Sequence, residues 1–126
     1  MSDSAHERGM QVRREVLGDA HVDRAVDATT PLTAGFQDLI TRYAWGEIWA
    51  RDGLDRRTRS FITVAMMVAL GREHELRLHL QAARRNGLTW DELSETLLHC
   101  AIYAGVPAAN SAFALAQELW HEEQGE

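Results

Sequence analysis

A histidine and a glutamate one helical turn apart are the strongest pair of chemical groups in the sequence. Leu76, Leu80 and Ala83 recur at helical spacing and predict an apolar helix face, which His79 interrupts. Glu75 precedes His79 by one turn, so its carboxylate can orient the imidazole and favour the charged form. Such an imidazole exchanges protons near neutral pH. The pair predicts general acid–base chemistry, although a core histidine bonded to a carbonyl fits the same spacing.

Glu47 is a second candidate acid. It extends an apolar helix face by one turn, and Trp45 and Trp49 flank it. A carboxylate among aromatic rings can carry a proton, because an apolar setting favours its neutral form. Arg51 follows at helical spacing, so an ordinary ion pair is the alternative. Both interpretations stay open.

Further candidates lie in two segments. Tyr103, near the end of a stretch of small and apolar residues, either donates a hydrogen bond into a pocket or simply packs. Cys100 has apolar neighbours and is expected to be an inert core thiol. The basic run that ends at Arg59 marks a helix start, where an arginine can hold a carboxylate.

Composition limits the function classes. The chain has 126 residues, enough for one domain, with 45% hydrophobic and 25% charged residues. The net charge of −6 argues against binding nucleic acid or an anionic membrane. The apolar run from Val64 to Leu70 is far shorter than the ~20 residues of a membrane span. The polar N-terminus indicates no signal peptide, so a cytoplasmic protein is expected.

The cysteine and histidine pattern excludes two kinds of site. A single cysteine, Cys100, rules out an intramolecular disulfide or a Cys-x-x-Cys thiol pair. No cluster has convincing metal-ligand spacing, since His74 and His79 are badly placed for one helix face. We therefore expect no metal.

The elements that must position these residues are predicted to be helices throughout. The sequence predicts one all-α domain over residues 1–126: a compact bundle of five to six helices with an N-terminal helical extension at about 5–30. Residues of about 55–70 and 73–86 should form a central hairpin, because the break at Gly71 is short. The first of them is apolar on nearly all sides over 61–70 and is expected to be buried. Thr89 and Glu92 predict a capping box, and residues 121–126 are expected to fray.

Several strings together resemble the carboxymuconolactone decarboxylase family, within the superfamily of alkylhydroperoxidase D-like proteins. The strings are Tyr43–Trp49, Gly53–Ser60, Ala69–Glu73, Glu75–His79, Ala101–Asn110 and, towards the N-terminus, Arg13–Val22. The peroxidase branch has a Cys-x-x-Cys-x-x-x-His motif, of which only His79 remains here. Arg72 and Glu75 occupy the two cysteine positions, and Ser60 occupies that of the relay glutamate. Redox cycling within the site is therefore not expected.

The resemblance implies a helical enzyme that assembles as a homo-oligomer, a trimer or hexamer. It implies decarboxylation of a lactone dicarboxylate, 4-carboxymuconolactone, in the protocatechuate branch of the β-ketoadipate pathway. The lactone carries its own electron sink, so no cofactor is expected. The protein must then hold two carboxylates, stabilise an enolate oxygen and donate a proton to carbon.

These tasks assign roles to the candidates. His79 is the expected proton donor, oriented by Glu75, and Glu47 is a second acid. Arg51, Arg59 and Arg72 compete for the carboxylates, while Trp45 and Tyr103 are expected pocket walls. The alternatives are a thiol peroxidase-like protein of the superfamily, which the single cysteine disfavours, a related lactone- or carboxylate-processing enzyme, and a non-catalytic helical scaffold.

Overall fold

A computed structural model describes residues 4–126, and every regular element in them is a helix, which confirms the all-α class. The chain divides into two units, one ending at Arg56 and one comprising Arg57–Glu126. The described elements are α1 Ser4–Leu17, α2 Asp19–Asp27, α3 Ala34–Ile40, a π-helix Thr41–Trp49, α4 Arg56–Leu70, α5 Glu73–Arg85, α6 Trp90–Tyr103 and α7 Val106–Gln124.

Residues 4–126 contain seven α-helices and one π-helix, which is more than the predicted five or six helices. Two local features explain the difference. Gly18 adopts a φ of 93°, which ends α1 and starts α2 within one residue. The π-helix follows α3 without a break and widens its turn from the i→i+4 to the i→i+5 pattern.

Two glycines bring α1 and the π-helix together in the first unit. A Cβ atom on Gly9 would lie 1.9 Å from the carbonyl oxygen of Thr41. A Cβ atom on Gly46 would lie 2.5 Å from the carbonyl oxygen of Ala5. The two backbones thus approach within a distance that only residues without a side chain permit.

The second unit contains the predicted hairpin. Gly71 and Arg72 alone separate α4 from α5, and Gly71 has a φ of 70°. At the other end, the Asn86 side-chain amide after α5 donates a 2.8 Å hydrogen bond to the Ser60 hydroxyl near the start of α4. The two helices therefore run antiparallel, which confirms the hairpin.

The core of this unit draws on all four of its helices and on the link before α6. Its fully buried leucines are Leu80, Leu88, Leu93 and Leu97. The capping box before α6 is confirmed: the Glu92 amide donates to the Thr89 hydroxyl, and the Thr89 amide donates to the Glu92 carboxylate. That backbone hydrogen bond, together with the bond from Arg57, holds the pKa of Glu92 below its usual value.

The expectation that α4 is buried on all sides is wrong. Its buried residues are Ser60, Val64 and Val68, which lie one turn apart on one face. On another face Met66 is 56% and Leu70 66% exposed. Only one stripe of α4 contributes to the core, so other apolar residues of this helix face outwards in the single chain.

The C-terminal tail also differs from the expectation. Instead of fraying after Trp120, α7 continues to Gln124 and has 19 residues in all. Gly125 then ends it with a left-handed backbone, at a φ of 81°. None of the helices within residues 4–126 combines the length and apolar character that a membrane crossing needs.

Candidate functional site

The face of α5 that carries His79 is fixed by its buried leucines. Leu76 and Leu80 are 2% and 0% exposed, and His79 lies beside them and is half-buried. Glu75 lies on the exposed side of the first turn. The structure thus keeps the imidazole at the edge of the core and the carboxylate one turn away, near solvent.

Two of the three candidate arginines belong to the same unit as His79. Arg59 is half-buried in the first turns of α4. Arg72 is exposed at the junction of α4 and α5, where its amide donates to the Met67 carbonyl and its carbonyl accepts from the Leu76 amide. These bonds fix the backbone of Arg72 and leave its guanidinium directed to solvent.

Tyr103 is 80% exposed at the end of α6, with its ring 4.9 Å from that of His99. It borders a cleft of about 400 Å³, lined by Ala65, Met66, Ala69, His99, Cys100, Tyr103 and Ala104. No arginine or lysine is among these lining residues, so the cleft suits apolar groups better than a dicarboxylate. Cys100 is buried there, and burial raises the pKa of its thiol, as expected for an inert cysteine.

The π-helix carries Trp45 and Glu47, two of the three candidates of the first unit. Trp45 is buried, with its ring 5.2 Å from that of Trp49. Glu47 is exposed and forms a 3.6 Å ion pair with Arg8 of α1, where the sequence suggested Arg51. Arg8 also donates a 2.9 Å hydrogen bond from Nε to the Gly46 carbonyl. Sequence reasoning missed Arg8, because 39 residues separate it from Glu47 and no local pattern joins them.

Arg51 lies in a cleft of about 490 Å³ within the first unit. Trp49 and two further arginines, Arg8 and Arg56, line the same cleft. Arg56 is bound to Glu15 of α1 at 2.7 Å. The three guanidinium groups and the aromatic wall suit carboxylates attached to an unsaturated ring. Three acidic residues of the same lining, Glu15, Asp52 and Asp55, compete with a substrate for these guanidinium groups.

No group of three or more histidine, cysteine or acidic side chains within residues 4–126 is arranged to hold a metal ion.

Known proteins similar to this chain are decarboxylases where their names state an activity. The model of the carboxymuconolactone decarboxylase family matches residues 34–118, which include all eight candidate site residues. A 4-carboxymuconolactone decarboxylase of Acinetobacter baylyi is 50% identical over 117 residues, or 93% of this chain and 87% of that protein. A nitrosuccinic acid decarboxylase of Metarhizium robertsii is 40% identical over 121 residues, or 93% and 85%. An uncharacterized protein of Paracoccus denitrificans is 32% identical over 109 residues, or 84% and 79%.

Proposed function

Because the chain belongs to the carboxymuconolactone decarboxylase family, we propose that it converts 4-carboxymuconolactone to the 3-oxoadipate enol-lactone in protocatechuate breakdown. The observation that carries this proposal is the 50% identity, over 93% of the chain, to the 4-carboxymuconolactone decarboxylase of Acinetobacter baylyi. The thiol peroxidase alternative is less well supported, since the only cysteine is buried in an apolar cleft.

The reaction needs little from the protein beyond binding and one proton. One ring carbon of the lactone bears a carboxylate, and breaking that C–C bond releases CO2 and leaves an electron pair. The adjacent C=C passes the pair to the lactone carbonyl, which gives a dienolate. A proton delivered to the carbon next to that carbonyl completes the enol-lactone. The substrate thus performs the electron storage that a cofactor otherwise supplies.

We assign the proton transfer to His79, because its imidazole is half-buried beside core leucines at the edge of the second unit's core. Glu75 orients the imidazole from the preceding turn, and Glu47 is the second candidate acid. Arg51, Arg59 and Arg72 are the proposed carboxylate anchors, of which Arg51 lies in the cleft that Arg8 and Arg56 also line. Trp45 and Tyr103 are the proposed walls of the substrate pocket. Trp45 is buried and packs against the ring of Trp49, which lines the cleft.

The test is to supply the purified protein with 4-carboxymuconolactone, without added metal or cofactor, and to follow CO2 and enol-lactone together. We expect equal amounts of both products, at a rate proportional to protein concentration. Nitrosuccinate is the informative second substrate, because its nitro group is also an electron sink beside a carboxylate. We expect the lactone to be preferred, and preference for nitrosuccinate would move the assignment to that substrate.

We further propose that the chain assembles as a trimer or hexamer through apolar faces that the single chain exposes. Ile62, Met66 and Leu70 lie one turn apart on α4 and are 40%, 56% and 66% exposed. In the first unit, Phe36 and Tyr43 are each 61% exposed. Apolar patches beyond a few hundred Å² are uncommon on monomers and mark interaction surfaces.

Sedimentation equilibrium tests this assembly. We expect a mass three or six times that of the chain, and Met66→Glu should shift the protein towards smaller species because it places a charge in the interface. Glu95→Gln, an exposed change on α6, is the control. A monomer at micromolar concentration would contradict the proposal.

A further inference from the structure

Arg13 of α1 is buried at the point where the α-helix α3 becomes the π-helix. Only 4% of the residue is exposed. Its Nη1 donates a 3.2 Å hydrogen bond to the Thr41 hydroxyl, and its Nη2 donates a 3.1 Å hydrogen bond to Oε1 of Gln37. Gln37 belongs to the last turn of α3 and Thr41 is the first residue of the π-helix, so one guanidinium bridges the junction.

The junction is also marked by a local hydrogen bond that competes with the helix. The Thr41 hydroxyl donates at 2.8 Å to the Gln37 carbonyl one turn earlier. Such back-bonding perturbs a helix at the carbonyl it occupies. By accepting from Arg13 while donating to Gln37, the Thr41 hydroxyl is held in one orientation.

The surroundings of Arg13 indicate a role other than simple stabilisation. Both hydrogen-bonded partners are neutral, and its Nε is buried without a hydrogen-bond partner among the described residues. Burial and the neighbouring Arg14 lower the pKa of Arg13, in line with the cost of burying a charge. A buried charge with neutral partners is weak evidence for a stabilising role, whereas its two hydrogen bonds constrain the geometry of the junction.

Two candidate site residues depend on that conformation. Trp45 and Glu47 follow Thr41 in the π-helix. Because an i→i+5 turn is wider than an i→i+4 turn, each residue is rotated by a smaller angle, and a return to α-helix from Thr41 would redirect both side chains. The π-helix is rare in proteins, and its single-turn form is frequently found at functional sites.

We propose that Arg13 is a positioning residue, which fixes the start of the π-helix and thereby the directions of Trp45 and Glu47. The proposal rests on the proposed function for its effect on turnover, whereas its effect on the π-helix is independent of any substrate.

The experiment compares Arg13→Met with Arg14→Met, its neighbour. Arg14 forms ion pairs with Asp19 and Asp23 of α2, whereas Arg13 bonds to Gln37 and Thr41. The near-ultraviolet circular dichroism of the Trp45–Trp49 pair, identified by its loss in Trp49→Phe, reports the π-helix. CO2 release gives kcat and KM.

In Arg13→Met we expect a changed tryptophan-pair signal, retained far-ultraviolet helicity and a kcat lowered by roughly tenfold. We expect Arg13→Lys to be intermediate, because an ammonium is a point donor without the planar fork that matches both acceptors. Thr41→Val, which removes only the bridging hydroxyl, should move the signal in the same direction if Arg13→Met does not fold. Arg14→Met should match the unmodified protein in both measurements.

An unchanged pair signal in folded Arg13→Met and in Thr41→Val would overturn the proposal. A changed signal with unchanged kcat would overturn it too, since the redirected residues would then not serve the reaction. If the unmodified protein releases no CO2, the proposed function fails, and the tryptophan signal alone still decides whether Arg13 sets the π-helix.

Discussion

Replacing His79 by alanine is expected to lower kcat for CO2 release by roughly 10²- to 10⁴-fold, because general acids contribute about that much to catalysis. The loss corresponds to about 3–5 kcal/mol of transition-state stabilisation. KM should change much less, since the carboxylates of the lactone are held by arginines. Steady-state kinetics give both values, and circular dichroism establishes that the variant is folded.

The matched control is His74→Ala. His74 lies on the same helix, five residues earlier, and is exposed in a surface groove with Arg77 and Glu118. The His74→Ala variant should keep a kcat within about twofold of that of the unmodified protein, because a general acid must lie within hydrogen-bond reach of the reacting atom. Turnover near that of the unmodified protein in folded His79→Ala would remove the proton donor from the account and shift the assignment to Glu47.

Gly9→Ala is expected to lower the free energy of unfolding by at least ~2 kcal/mol, towards the upper end for overpacking in a tight contact. The added Cβ would lie 1.9 Å from the Thr41 carbonyl oxygen and 3.0 Å from the Gly46 amide nitrogen. Both atoms are backbone, so neither can rotate away, and α1 must move off the π-helix. Urea denaturation followed by far-ultraviolet circular dichroism measures the change.

Gly35→Ala is the control, and its expected effect has the opposite sign. A Cβ on Gly35, in the first turn of α3, meets no atom within 4 Å, and alanine is better than glycine in a helix by up to roughly 1 kcal/mol. Equal stabilities for the two variants would contradict the close packing of α1 on the π-helix.

Local signals in the sequence predicted the second unit well. The glycine at position 71, the Asn86-Gly87 stop and the Thr89–Glu92 capping box each satisfy backbone groups within a few residues, so they can be recognised without knowing the fold. The hairpin of α4 and α5 follows from them. The exposure of Met66 and Leu70 could not be predicted, because the sequence shows which residues are apolar and not which stripe the core uses.

The first unit was predicted less well. The apolar residues of α3 are spaced at the 3.6-residue repeat of an α-helix, and this spacing does not predict an i→i+5 turn from Thr41 onwards. The contacts that accompany the turn, Arg13 with Thr41 and Arg8 with Glu47, join residues 28 or more apart. Of the candidate site, the sequence identified His79 and Glu75 because they share one helix, and it missed the arginines of α1 because only folding brings them to the π-helix.

The most direct test of the central claim is the reaction of the purified, unmodified protein with 4-carboxymuconolactone, with CO2 and enol-lactone measured in the same sample. Decarboxylation predicts one CO2 for each enol-lactone and no requirement for an added cofactor. The assignment would be contradicted if the folded protein released no CO2, or if the enol-lactone formed no faster with the protein than without it.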